Sequence, residues 1–350
     1  MPEVVLVAGR GPMATRAIRS CQHSGSKAVS VHSDVDTNAR HVRVADESVL
    51  IGAGAPEASY LDLAALVEAA QVSGAQALLP VHAVLAGSAE LARRAREAGL
   101  LWIGADPDSL AAAQQSGWGA AVPDESPGWV IGLADGFRID GLVVRRTRAG
   151  GAALGWTSAE EPGSLAVDGL PPAAKILATL SDLAVELGWR GLVSIAFGPD
   201  GAPVAVRGGL PAELGLVELR AGRDLVHSAL ALAEGSSPPA GSPGAPAAVG
   251  AVVRATAIPG AGQRASINEL TGPDGVDVRW EPGYATGDSL SPCYDPVLGI
   301  LAVRGDDLAA AVAGFLAATA AVRIAGLPAD LDQLRARAED IAARMHDGSA

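Results

Sequence analysis

The sequence predicts an α/β protein that opens with a parallel, doubly wound sheet, and three observations carry the prediction. Strand-length apolar runs alternate with helix-period stretches through about the first 105 residues. Hydrophobic residues make up 49% of the 350-residue chain but aromatics only 3%, so its cores are aliphatic. Glycine (43) and proline (23) supply the frequent turns that such alternation needs. The first element, VVLVA at 4–8, is a continuous apolar run, the pattern of a buried strand. It enters Gly9-Arg10-Gly11-Pro12, after which Ala14, Ala17, Ile18 and Cys21 recur at helical spacing. Strands follow at 28–32, 48–51, 77–80 and 100–103, with helices at 60–73 and 89–98 between them.

The middle of the chain changes character. Residues 128–133, 137–144 and 152–156 read as strands, with a hairpin turn over 145–151. A helix over 171–188 starts at Pro171-Pro172 and stops at Gly188. Residues 191–197 and 203–207, joined by Pro199-Asp200-Gly201, form a hairpin, and a helix follows over 221–234. The segment GSSPPAGSPGAPA at 235–247 is small, uncharged and turn-rich, which predicts a linker or mobile loop. Strands at 250–257, 276–280 and 298–303 and helices at 307–322 and 328–345 complete the chain. The length is roughly two to three domains' worth.

Thirty-nine acids against 26 bases give a net charge of −13, which argues against duplex nucleic acid or an anionic membrane as partner. Two cysteines, Cys21 and Cys293, support neither a disulfide framework nor a zinc site. No apolar run reaches the roughly 18 residues of a membrane span, and no secretory leader pattern opens the sequence. A cytoplasmic protein is expected.

Candidate sites each have a plainer structural reading. Gly9-Arg10-Gly11 could offer helix N–H groups to an anion, but it lacks a third glycine, and Pro12 removes a donor; a structural turn is the plainer reading. No phosphate loop of the Walker type and no G-x-S-x-G elbow is present. The two lysines, Lys27 and Lys175, sit beside a strand and inside a helix, poorly placed to hold phosphates. Arg145, Arg146 and Arg148 cluster in a hairpin, where charge runs are usually solvated. Glu160 and Glu161 are adjacent and so point apart in an extended chain. Glu213, Glu218 and Asp224 flank a loop-to-helix region and are candidate catalytic carboxylates or, more plainly, caps. His82 follows a strand end, where α/β proteins place ligands, and is the best placed of six histidines that show no metal-ligand spacing. From residue chemistry alone the reaction stays unidentified.

The ordered pieces VLVAGRGPMATRAIRSC, AVSVHSDVDTNARHVRVADESVLIG, SYLDLAALVEAAQVSGAQALLP and AGLLWIGADPDSL resemble the amino-terminal domain of biotin carboxylase, the ATP-grasp component of biotin-dependent carboxylases. GWRGLVSIAF and AELGLVELRAGRDLVHSALALAEG resemble the end of its ATP-grasp domain, and VRWEPGYATGDSLSPCYDPVLGILAV its C-terminal domain. The resemblance implies a Rossmann-like preATP-grasp domain over 1–112, a truncated ATP-grasp-like domain over 125–235, a flexible loop at 236–248, and a biotin carboxylase C-terminal-like domain over 249–346.

Its departures carry the functional expectation. Leu110 is joined to the 137–144 strand in under 30 residues, so the family's glycine-rich, lysine-bearing lid is expected to be absent. The adenine-holding Glu-Lys pair aligns with Val130-Ile131, the two metal-binding glutamates with Ile195 and Ala205, and the Asn and Arg of the N-x-R-x-x-V-E-H motif with Arg207 and Gly209. That motif's Glu survives as Glu213, with Leu214 in place of its His. The family's GYGFLSEN turn has become VHAVLAGS at 81–88, and Ile300 replaces a lysine. Arg279, matching an arginine used near bicarbonate and biotin, is retained.

Ile and Ala cannot ligate Mg²⁺, so the resemblance implies a catalytically degenerate protein that serves as a structural or regulatory subunit. Its expected partners are a biotin carboxylase, a carboxyltransferase or a biotin carrier protein, with homodimerisation open. No metal site and no cofactor are expected, ATP and Mg entering only on the rival reading of an active biotin carboxylase (ATP-grasp ligase). A third reading is a small-anion or metabolite module, with Arg207 and Arg279 as anion-binding candidates beside Glu213.

Overall fold

The computed structural model describes residues 1–118, 126–147, 152–159, 170–258, 260 and 265–347. The first unit is built from β1 (Val4–Ala8), α1 (Gly11–His23), β2 (Lys27–Ser33), α2 (Arg40–Val44), β3 (Glu47–Gly52), α3 (Leu63–Val72), β4 (Ala77–Pro80), α4 (Ala83–Ala86), α5 (Ala89–Glu97), β5 (Leu101–Trp102) and α6 (Pro107–Gln115). Its strands pair in parallel in the order β3-β2-β1-β4-β5, so the α/β class and the doubly wound sheet are as the alternation predicts. Asp62, Ser88 and Asp106 cap α3, α5 and α6 by accepting bonds from first-turn N–H groups.

The second unit begins with β6 (Gly128–Asp135), β7 (Ile139–Arg146), β8 (Leu154–Ser158), α7 (Ala173–Glu186), β9 (Arg190–Phe197), β10 (Pro203–Arg207), α8 (Leu214–Ala221) and α9 (Leu225–Ala233). It continues through β11 (Ala247–Arg254), the short strands β12 (Ala265–Ser266) and β13 (Glu269–Thr271), β14 (Val278–Pro282), β15 (Ser289–Leu290), β16 (Val297–Gly305), α10 (Leu308–Ala321), β17 (Arg323–Ala325) and α11 (Leu331–Asp347). Eight of these strands form one sheet, ordered β10-β9-β6-β7-β8-β11-β16-β14.

That sheet runs across the expected boundary at 236–248. β8 pairs antiparallel with β11, so the stretches divided at 236–248 share one continuous sheet. The segment between them is pinned at its far end: Ser242 N–H donates to the Gly222 carbonyl, and Ala245 is buried against the end of α8. The expected helix over 221–234 corresponds to α9 alone, and α8 is a further helix that the sequence reading did not include. Gly222, at φ +67°, ends α8, and Asp224 starts α9 by accepting from the His227 N–H.

Aliphatic side chains fill both faces of the large sheet, as the composition requires. Val130, Val193, Ile195 and Phe197 pack beneath α7, whereas Ile131, Leu192, Ala196 and Ala205 pack toward α8, α9 and α1. Helix α10 covers the β11–β16 end through Val312 and Phe315. No described helix is long and apolar enough to cross a membrane.

Candidate functional site

The glycine turn after β1 lies where a doubly wound sheet takes ligands, at the carboxyl ends of β1 and β4. A Cβ on Gly9 would lie 2.6 Å from that of Val81, and one on Gly283 would lie 2.8 Å from Pro12 Cδ, so these two side chains pack directly against glycine backbone. Arg10 N–H donates to His82 Nε2 at 3.3 Å. The Arg10 guanidinium donates to Asp36 at 2.8 and 3.2 Å and lies 3.9 Å from the Tyr294 ring centroid. Tyr60 also donates to Asp36 (2.8 Å), and Tyr294 bonds Ser33 (2.7 Å). Burial pushes the Asp36 carboxyl upward, but Arg10 outweighs it and holds the group below the usual carboxylate range. Pro12 and Arg10 of the turn thus join the first unit to Gly283 and Tyr294, and His82 packs against the same turn.

A second constellation holds the acids that follow β10. Glu218, wholly buried, accepts from Arg16 at 2.8 Å and also pairs with Arg279. Its Oε1 takes the Leu225 N–H at 2.8 Å. Asp224 accepts from Arg16 (3.0 Å) and from Ser20 (2.7 Å), and Glu281 pairs with Arg19 (3.2 Å). Burial raises the Glu281 carboxyl despite Arg16 and Arg19, whereas at Asp224 the Arg16 charge outweighs burial and lowers it. Three cations face three anions, so this reads as a charge-balanced bolt between α1, α8 and β14.

Glu213 lies elsewhere. It precedes α8 and lines a cavity of about 390 Å³ with Arg146, Thr147 and Arg254. Burial holds its carboxyl above the ordinary range, with Arg146 and Arg254 pulling the other way. Two guanidinium groups against one carboxylate suit a small anion. Ile300, on β16, forms part of the apolar wall.

The expectation that Arg279, Arg207 and Glu213 share one cleft is not met. Glu213 and Glu218 are five residues apart, about 140° round a helix, so the acid that captures Arg279 faces away from the cavity. Arg207 sits in a third place, its guanidinium 5.6 Å from the Trp129 ring centroid, lining a separate cavity of about 340 Å³.

The two positions aligned with the family's metal-binding glutamates, Ile195 and Ala205, do not share a face. Ile195 pairs with Val206 under α7, while Ala205 pairs with Ala196 on the opposite face. Strand side chains alternate, so two ligands of one ion cannot come from Ile195 and Ala205. The residues that share Ala205's face are Ser194, Ala196 and Arg207, and none is a carboxylate. Val130 and Ile131 are wholly buried inside β6, and Leu214 is buried at the start of α8. Among the described residues no group of three or more His, Cys, Asp or Glu is placed to hold a metal.

The two described members of the arginine cluster, Arg145 and Arg146 at the end of β7, do not form a solvated face. Arg145 is buried with its guanidinium 5.7 Å from the Phe197 ring centroid, and Arg146 lines the larger cavity. The 2.0-residue strand period sends the two to opposite faces, a signal the sequence carried. Arg254 gave no such signal; it reaches the cavity through the β11–β8 pairing. Arg148, Glu160 and Glu161 lie outside the described residues.

Comparison with known proteins agrees with this architecture. A family model for the biotin carboxylase N-terminal domain matches residues 1–110. Biotin carboxylase of Allochromatium vinosum is 40% identical over 110 residues, 31% of this chain and 24% of that protein. The biotin-dependent acyl-coenzyme A carboxylase alpha3 subunit of Mycobacterium leprae is 42% identical over 106 residues, 30% of this chain and 18% of that one. The match thus spans about a quarter or less of these relatives' length. Among solved structures, the biotin carboxylase domain of a single-chain bacterial carboxylase superposes with a TM-score of 0.78 at 25% identity, covering 98% of this chain and 95% of that one. Urea carboxylase of Kluyveromyces lactis gives 0.79 at 22% identity, over 96% of this chain and 31% of that one. Residues 1–110 are thus similar to the N-terminal domain of biotin carboxylases, and the described chain carries an α/β fold like that of a biotin carboxylase domain.

Proposed function

We propose that this protein is a biotin-carboxylase-like chain that no longer carries out ATP-dependent carboxylation and acts in the cytoplasm as a structural or regulatory subunit of a biotin-dependent carboxylase. The observation that carries this reading is the β9–β10 face. Binding a nucleotide through Mg²⁺ calls for carboxylates that bridge metal to phosphate, and this face presents Ser194, Ala196, Ala205 and the cation Arg207. These residues do not fit a Mg·nucleotide. Supporting it, twelve residues, 116–127, separate α6 from β6, too few for a lid with helices and a sheet of its own. Arg279 is spent on Glu218. The Mycobacterium leprae relative is itself named as a subunit, which favours carboxylase subunits as partners.

Millimolar Mg·ATP is expected to leave the melting temperature unchanged, where a ligand at 100 times its Kd would add about 2.7 kcal/mol. Bicarbonate-dependent ATP hydrolysis and biotin carboxylation are expected at background, and carboxylase subunits should co-purify. Mg·ATP stabilisation with turnover that Arg279→Ala abolishes would instead establish the enzyme reading. A small-anion module is the second reading, favoured by the Glu213–Arg146–Arg254 cavity.

A further inference from the structure

The smaller cavity has a different chemistry from the one around Glu213. Val84, Leu110, Ala113 and Trp189 give it apolar walls, Gln114 is its uncharged polar group, and Arg207 is the sole ionisable residue among its described lining. The backbone explains how Arg207 comes to this wall. Gly209 takes φ +83°, and a Cβ there would lie 2.7 Å from the Val81 carbonyl oxygen. One on Gly208 would lie 3.2 Å from the Ala86 carbonyl oxygen. Only glycines let the end of β10 press this closely on α4, so the cavity forms between the two units, open to solvent beside Val84.

Arg207 is half-buried, and among the described residues no acid pairs with it. Its other neighbour is the Trp129 ring. Burial, with no carboxylate to offset it, holds the guanidinium below its ordinary pKa. A partly desolvated cation without a counter-charge is costly unless an anion completes it. The other large cavity already contains its own carboxylate, Glu213.

We propose that the Arg207 cavity binds a small organic monocarboxylate, the carboxylate on the Arg207 guanidinium and an apolar body against Val84, Leu110 and Trp189. At about 340 Å³ the space falls at the lower end of small-ligand sites, which run from roughly 300 to 1,000 Å³. It accommodates a short chain or a single ring. The proposal is independent of whether the chain assembles with carboxylase subunits.

Calorimetric titration of the full chain with acetate, butyrate and hexanoate, and with hexanamide as the uncharged control, tests it. Saturable one-to-one binding is expected, strengthening at least tenfold from acetate to hexanoate, with hexanamide at least tenfold weaker than hexanoate. Arg207→Gln should weaken hexanoate at least tenfold at an unchanged melting temperature. Should that variant fold poorly, Arg207→Lys, which keeps the charge but not the fork, is expected to retain binding at reduced strength. Absence of saturable binding, equal affinity for amide and acid, or indifference to both Arg207 variants overturns the proposal. So does loss of binding in the double variant Glu213→Gln, Arg254→Gln, which would put the ligand in the other cavity.

Discussion

Replacing Glu218 with alanine is expected to cost about 3–5 kcal/mol of folding stability. The reason is what remains behind. Arg16 is buried, and with Glu218 gone it keeps Asp224 at 3.0 Å and the more distant Glu281 at 4.0 Å but loses its closest carboxylate. Arg279 loses the carboxylate that it pairs with, and the Leu225 N–H at the start of α9 loses its acceptor. An uncompensated buried charge is penalised far more than a lost surface pair. Urea denaturation at pH 7 measures the loss. Glu90→Ala supplies the contrast, because Glu90 forms exposed pairs with Arg93 and Arg94 on one helix turn and should cost no more than about 0.5 kcal/mol. A Glu218→Ala loss below about 1 kcal/mol would show that the bolt relaxes into water. Arg279→Ala is expected to cost less than Glu218→Ala, since Arg279 retains partial exposure and Arg16 still neutralises Glu218.

Acidification from pH 7 to pH 4 is expected to remove about 3 kcal/mol through His41, and His82, whose pKa desolvation likewise lowers to about 4, adds a loss of the same sign. His41 is buried beside Tyr60, and burial, with the Arg10 charge adding to it, lowers its pKa from 6.5 to about 4. The folded protein therefore refuses a proton that the unfolded chain accepts below pH 6.5. Stability is fully present above that value and drains away as pH falls toward 4. Asp36 and Asp224 extend the loss lower, because both are held below their ordinary pKa by arginines and lose that advantage only once the unfolded chain's carboxyls protonate, near pH 4 and beneath. Urea midpoints measured every half unit from pH 7.5 to 4 test this. The His41→Asn variant should show a shallower decline between pH 6.5 and 4.5, and a slope equal to that of the parent would remove His41 as a cause.

Both predictions concern side chains that join elements far apart in the chain, and there the reach of the sequence ends. Local order was legible. VVLVA gives β1, the Ala14-Ala17-Ile18-Cys21 spacing gives α1, and Gly188 marks the end of the helix before β9. The alternation of strands and helices through residue 102 required a parallel sheet, and the sheet is parallel. Hydrophobic period and turn chemistry are properties of neighbouring residues, so a window of sequence contains them. Helix α8 is less legible: Gly222 and Asp224 mark its end and the start of α9, but at 8 residues it is too short for a helical period to stand out.

What the tertiary structure alone decided is which side chains meet. Nothing near Arg279 in sequence indicates that it faces Glu218, 61 residues away, rather than Glu213. Arg146 and Arg254 converge because β8 lies between β7 and β11, a pairing set by hydrophobic cover on both faces of the sheet. The shift from Ile195 to Ser194 as the strand position sharing a face with Arg207 is one residue in sequence and a whole sheet thickness in space. The eight-stranded sheet likewise joins stretches that the Gly- and Pro-rich segment 235–247 seemed to divide. Composition and spacing determine the elements, because those energies are local. Charge partners, strand register and cavities follow from contacts closed over tens to hundreds of residues, and no local pattern specifies them.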